Sequence, residues 1–171
     1  MKKNQKGFSL IELLIVVAII LIIAAIAIPN LIKSKMAANE SGAAGSVRTI
    51  NTGEATYQSV CPQVGYSATL DELHTGALCV GGKDIADAVL GIQNGTKSGY
   101  TFFEQGSVSA GGIAGVNDQY ITHATPANLG VSGQRQFCSD QRMVIYFDPA
   151  GAGCVQPPAN GVPDATHVVL Q

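Results

Sequence analysis

Apolar residues are unevenly spread along the 171-residue chain, and that unevenness predicts its main elements. Met1 to Lys6 is short, polar and basic, with Lys2, Lys3 and Lys6 and no acid. Gly7 ends this stretch. Between Phe8 and Ile28 only Ser9 and Glu12 are polar, and from Leu13 to Ile28 every residue is apolar. As a helix rising ~1.5 Å per residue, Phe8–Ile28 spans about 31 Å, the thickness of a hydrocarbon core. It is apolar all round, so no face is kept for water. Lysines on its N-terminal side predict a cytoplasmic N-terminus, with everything after residue 30 outside. Lys33 and Lys35 lie on the exported side and narrow that margin.

Helical spacing continues past Pro29. Ala43, Val47, Ile50, Glu54 and Tyr57 recur at i, i+4, i+7, with Glu54 interrupting the stripe. One helix from Phe8 to about Val60 is expected, bent near Pro29 by the lost donor and the clash with the preceding turn. The competing pattern separates two helices by a loop over 29–46. Gly42, Gly45 and Gly53 each weaken a helix by roughly 0.8–1 kcal/mol relative to Ala, so it must be packed along its length. Further on, Ala68–Leu78 and Lys83–Leu90 read as short helices, the second with Asp84 near its start and Gly91 past its end. Tyr100–Gln105, Gln119–Ala124, Arg135–Ser139 and Met143–Phe147 carry β-branched or aromatic residues between turn formers and read as strands. Ser107–Gly115 is a Gly/Ala/Ser-rich hairpin connection, and the chain from Ala150, with Pro157, Pro158 and Pro163, an irregular cover. Their aromatic side chains are expected to form the sheet's core, with a surface aromatic path for electron transport or carbohydrate as the rival.

The N-terminal segment admits three readings. A cleaved secretory signal would use Ala25-Ile26-Ala27, but its apolar run exceeds the usual ~7–15 residues and encloses Glu12. A plain signal anchor explains the length and leaves the carboxylate unexplained. The third reading rests on Lys6-Gly7-Phe8-Ser9-Leu10-Ile11-Glu12-Leu13-Leu14-Ile15-Val16-Val17. This stretch resembles the leader and N-methylation segment of type IV pilins and type II secretion pseudopilins. The resemblance covers about 30 residues. It implies cleavage by a prepilin peptidase between Gly7 and Phe8, methylation of Phe8, and Glu12 as the fifth mature residue. Pro29 matches the family's helix-kinking proline. The resemblance also implies an inner-membrane assembly platform and a cytoplasmic ATPase, since this chain has no nucleotide-binding motif. Cleavage creates a positive amine at Phe8, and a carboxylate in an apolar medium needs such a partner. A neighbouring subunit's Phe8 amine would then meet Glu12, a pairing that penalises wrong registers more than it adds stability.

Composition narrows the head. Charged residues are 13% and hydrophobic residues 46%, which excludes intrinsic disorder. The net charge of −2 gives no electrostatic case for nucleic acid. Loss of Lys2, Lys3 and Lys6 leaves seven basic against twelve acidic residues, a net charge of −5 that favours solubility of an exposed head. All four cysteines, Cys61, Cys79, Cys138 and Cys154, follow residue 60. In an exported domain they read as disulfides, with three connectivities open. Cys61–Cys79 and Cys138–Cys154 are favoured because each closes a short loop, and the second resembles the family's C-terminal disulfide loop. Zinc lacks ligand spacing. Asp140, Asp148 and Asp164 offer acids for the calcium loop of major pseudopilins, but that family signature is not recognisable. His74, His123 and His167 are dispersed, with no triad spacing, so no enzyme, catalytic residue, metal or cofactor is expected.

The expected fold is α+β: a long N-terminal helix whose apolar half protrudes and whose second half packs on a three- or four-stranded antiparallel sheet. Residues 1–7 are a leader, 8–30 a transmembrane and filament-core helix, and 31–171 an exported head. The function implied is a structural pilus subunit. It would be held in the inner membrane, then polymerised as a homo-oligomeric extracellular filament. The alternative is a major pseudopilin of a type II secretion system.

Overall fold

The computed structural model describes residues 7–79, 81, 85–86, 88–148 and 168–169. Helix α1 runs without interruption over Leu10–Val60 and carries Pro29 inside it, so no loop separates two helices at 29–46. The chain divides into two compact units between Lys35 and Met36.

In the first unit every large apolar side chain from Phe8 to Ile32 is exposed. In the second, α1 buries one stripe. Ala43, Val47, Ile50, Glu54 and Tyr57 are all fully buried, as their i, i+4, i+7 spacing requires. A short helix α2 covers Leu70–Thr75. It is shorter than the expected 68–78 because Thr69 caps its start and Gly76, at φ 63°, ends it in the left-handed region. The helix expected over Lys83–Leu90 is not formed among the described residues of that stretch: Ile85 and Ala86 are irregular and 88–90 form a turn. The Ala86 N–H donates to the Leu73 carbonyl at 3.2 Å, so tertiary pairing takes the donor a helix would have used.

The head carries an antiparallel meander: β1 Thr96–Lys97, β2 Tyr100–Ser107, β3 Gln119–Pro126, β4 Gln136–Asp140, β5 Ile145–Asp148 and β6 Val168–Val169, paired in that order. Six strands replace the expected three or four. The four expected strands are present, and the two additions are edge strands of two residues each. β1 exists because Ser98 (φ 52°) and Gly99 (φ 73°) make a tight two-residue turn that sets Lys97 opposite Tyr100. β6 lies within the segment expected to be irregular, whose other residues from 149 onward are outside the described ones.

Along β2, Tyr100, Phe102 and Glu104 are buried and alternate with more exposed neighbours. Their registers build two rows across the sheet. Phe102, Ala124, Phe137 and Phe147 form an apolar row; Glu104, Thr122, Ser139 and Ile145 form the next, largely polar one. The aromatic residues are mostly core: Tyr100, Phe102, Tyr120, Phe137 and Tyr146 are buried, whereas Phe103 is exposed and Phe147 half-buried beneath the Arg135 guanidinium.

Candidate assembly helix and the head that carries it

The start of α1 is organised by its own polar residues. The Ser9 carbonyl accepts from Leu13 N–H at 3.3 Å, and the Ser9 N–H donates to Glu12 Oε2 at 3.0 Å. Ser9-Leu10-Ile11-Glu12 is thus half of a capping box, with the carboxylate satisfying an N-terminal donor that has no intrahelical partner. Glu12 also lies in the first turn, where the helix dipole favours negative charge. The S-x-x-E spacing was legible in the sequence and gives Glu12 a role within its own chain. Phe8, just before the helix, is 80% exposed, so Glu12 and the residue whose amine it is expected to meet sit at one end of α1.

Beyond that end the helix offers only hydrocarbon. An 18-residue stretch is long and apolar enough to cross a membrane, and none of it is buried. Each large aliphatic side chain is worth roughly 1.5–3 kcal/mol when removed from water, so hydrating the segment costs on the order of tens of kcal/mol. Apolar exposure on this scale requires lipid or other helices around it.

The head is fastened to α1 by covalent and polar links. Cys61, at the end of α1, is disulfide-bonded to Cys79, just past α2, with Cα atoms 6.0 Å apart. Cys138 is also disulfide-bonded; its expected partner Cys154 lies outside the described residues. Glu40 on α1 accepts from the N–H groups of Gln134 and Arg135. Asn39 donates to the Ser132 carbonyl at 2.8 Å.

Deeper, three acids gather where α1, α2 and β2 meet. Glu54 is fully buried and accepts from Ser67 N–H at 2.9 Å and from Ser67 Oγ at 2.5 Å. Glu104, also fully buried, lies 2.6 Å from the same hydroxyl through Oε1. Glu72 accepts from Tyr57 Oη at 2.5 Å and from Ala68 N–H at 2.9 Å. Burial, then the Glu54 charge, push the Glu104 carboxyl well above the ordinary carboxylate range. Burial likewise raises the Tyr57 and Tyr120 phenols, which neighbouring acids raise further. In the sequence Glu54 interrupts an apolar stripe, and nothing local links it to Glu104. The available signal was period two in Tyr100-x-Phe102-x-Glu104, which places the acid on the inner face. Asp140 pairs with Arg142 at 2.5 Å, and Asp164 lies outside the described residues. Among the described residues no group of three or more His, Cys, Asp or Glu is arranged to hold a metal.

Residues 2–28 match the family described as the prokaryotic N-terminal methylation motif. The chain therefore carries a prokaryotic N-terminal methylation motif at its start. It is 59% identical over 39 residues to the type IV wide pilus major component PilA4 of Thermus thermophilus, a match covering 23% of this chain. It is 48% identical over 56 residues to the type IV major pilin protein PilA of Myxococcus xanthus, covering 33% of this chain. The chain spans only 30% and 26% of the lengths of these two relatives. No solved structure matches it significantly.

Proposed function

We propose that this chain is a structural subunit of a type IV pilus. A prepilin peptidase cuts between Gly7 and Phe8 and Phe8 becomes the methylated N-terminus. Residues 8–30 hold the subunit in the inner membrane with its N-terminus cytoplasmic, and afterwards lie in the filament core. Residues 31–171 form the exported head, with Cys138–Cys154 as its second disulfide. An assembly platform and a cytoplasmic ATPase supply the work of polymerisation, and Pro29 bends the helix for packing.

The observation that carries this reading is the exposed apolar helix that follows Gly7-Phe8 and places Glu12 in its first turn. Lipid solvates that helix before assembly and neighbouring helices solvate it afterwards, so extraction need not expose it to water. Both relatives are named as major pilus components, which favours a pilus over a secretion pseudopilus. Mass spectrometry of sheared surface filaments tests the proposal. The expected subunit begins at N-methylated Phe8. A functional chain still beginning at Met1, or starting near Pro29, overturns it, and cells without long filaments of this chain favour the pseudopilus.

A further inference from the structure

The three buried acids pose a problem of hydrogen counting. Ser67 Oγ has one hydrogen, yet it lies 2.5 Å from Glu54 Oε1 and 2.6 Å from Glu104 Oε1. Its third neighbour, the Thr69 carbonyl oxygen at 3.2 Å, is another acceptor. One hydroxyl hydrogen cannot satisfy both carboxyl oxygens. Among the described residues Glu104 Oε2 is buried and meets no donor, and both carboxyls converge on the one Ser67 hydroxyl. Two carboxylates so placed repel unless one holds a proton.

The surrounding charges offer no rescue. From α1 the pair faces Glu54's neighbour Tyr57, from the following loop Tyr66, from α2 Glu72, and from β3 Tyr120. Asp140 on β4 bears on Tyr120 and is itself paired with Arg142. Among the described residues, the charges that bear on Glu104 are those of Glu54 and Glu72, both acidic. Gln93 serves the Glu104 backbone, donating to its carbonyl at 2.6 Å and accepting from its N–H at 3.3 Å.

We propose that Glu54 of α1 and Glu104 of β2 share one proton across the Ser67 hydroxyl at neutral pH, and that this proton pins the helix to the sheet. With the proton in place, the acid, the hydroxyl and the second carboxylate form a donor–acceptor chain from β2 through the 67–69 loop to α1. Its loss leaves two buried negative charges with Glu72 nearby, and α1 is pushed from the sheet. In the unfolded chain Glu104 ionises in the ordinary carboxylate range, about 4.3. In the folded head it keeps its proton above that range. The stability held by the pair is therefore complete below the ordinary range and is lost as pH rises through the raised folded value. The head is fastened more firmly in acid than in alkali, a dependence independent of what the assembled protein does.

The experiment uses the full chain in detergent micelles, with thermal unfolding followed by the near-ultraviolet signal of the buried tyrosines. Between about pH 5 and about pH 9 the wild-type midpoint falls, and Glu104→Gln, which keeps a neutral donor, flattens that fall. Parallel profiles for the two proteins overturn the proposal. Infrared spectroscopy of the wild type decides independently of any variant's folding. A protonated carboxyl band is expected at about pH 7 and disappears at alkaline pH. Absence of that band at neutral pH, or its persistence unchanged in a folded Glu104→Gln or Glu54→Gln protein, sinks the shared proton.

Discussion

Asn51 on α1 donates a buried 2.7 Å hydrogen bond to Ser139 Oγ on β4, joining two elements 88 residues apart in the chain. Its carbonyl oxygen accepts from Tyr120 Oη on β3 at 3.1 Å. Ser139 in turn donates to the Val144 carbonyl, so the amide orders two side chains, Ser139 and Tyr120, on neighbouring strands. Asn51→Ala removes the acceptor of a buried phenol, and a loss of about 1–3 kcal/mol is expected. Thr49→Ala serves as the control. Thr49 is exposed and its hydroxyl donates to the Gly45 carbonyl one turn earlier, so a change within about 0.5 kcal/mol is expected. Denaturant midpoints of the full chain in detergent distinguish the two.

Glu12 has one partner in its own chain and, under the pilus reading, a second in a neighbouring subunit, and a single substitution separates them. Within its own chain it accepts from the Ser9 N–H. Under the pilus reading it also meets the Phe8 amine of a neighbouring subunit. Gln retains an acceptor for the capping box and removes the charge. Glu12→Gln is therefore expected to leave helix content and membrane insertion intact while abolishing filaments, checked by membrane fractionation and electron microscopy. Normal filaments from this variant would leave Glu12 with its capping role alone.

Strong periodicity was readable and local competition was not. The stripe Ala43 to Tyr57 is buried as spaced, because one face of a helix must lie against the sheet. The four main strands fall close to their expected positions, because aromatic and β-branched runs between turn formers specify a meander. Two-residue β1 and β6 carry no period of their own; a turn and a neighbour's unpaired edge create them. Among the described residues of 83–90 the terminal signals misled, since Ala86 bonds back to Leu73 and local propensity lost to tertiary pairing. The apolar N-terminal half of α1 was the most legible part, being recorded in consecutive residues. The acid cluster was the least, because Glu54, Ser67, Glu72 and Glu104 come from four separate segments.

Reduction should weaken the head at the end of α1. The Cys61–Cys79 bridge closes a loop of 18 residues between two buried positions. The chain-entropy relation assigns such a loop about 3 kcal/mol. The double substitution Cys61→Ser and Cys79→Ser is expected to lose a comparable amount, read as a lower denaturant midpoint. If the bridge acts by restricting the unfolded chain, reductant shifts the wild type and leaves the double variant where it was, apart from any contribution of the bond at Cys138.

Two glycines of similar sequence environment should respond in opposite directions to Ala. Gly45 is exposed on α1, and nothing lies within 4 Å of where its Cβ would stand. Gly45→Ala therefore adds helix propensity at no steric cost, with a gain of about 0.5–1 kcal/mol expected in detergent. Gly106 lies on β2 opposite Tyr120, and its N–H donates to the Ala68 carbonyl at 3.1 Å. A Cβ there collides with the Ser67 carbonyl oxygen and comes within 2.7 Å of Asn117 Nδ2. Backbone must shift to admit it, and a loss of about 1–3 kcal/mol is expected, as for overpacking elsewhere. The displaced residue is Ser67, whose hydroxyl sits between Glu54 and Glu104. Gly106→Ala should therefore also change how stability depends on pH, whereas Gly45→Ala should shift the whole profile without altering its slope. Thermal midpoints of both variants across the pH range check the two expectations together. A parallel shift for Gly106→Ala would mean that the loop moves without disturbing the acids.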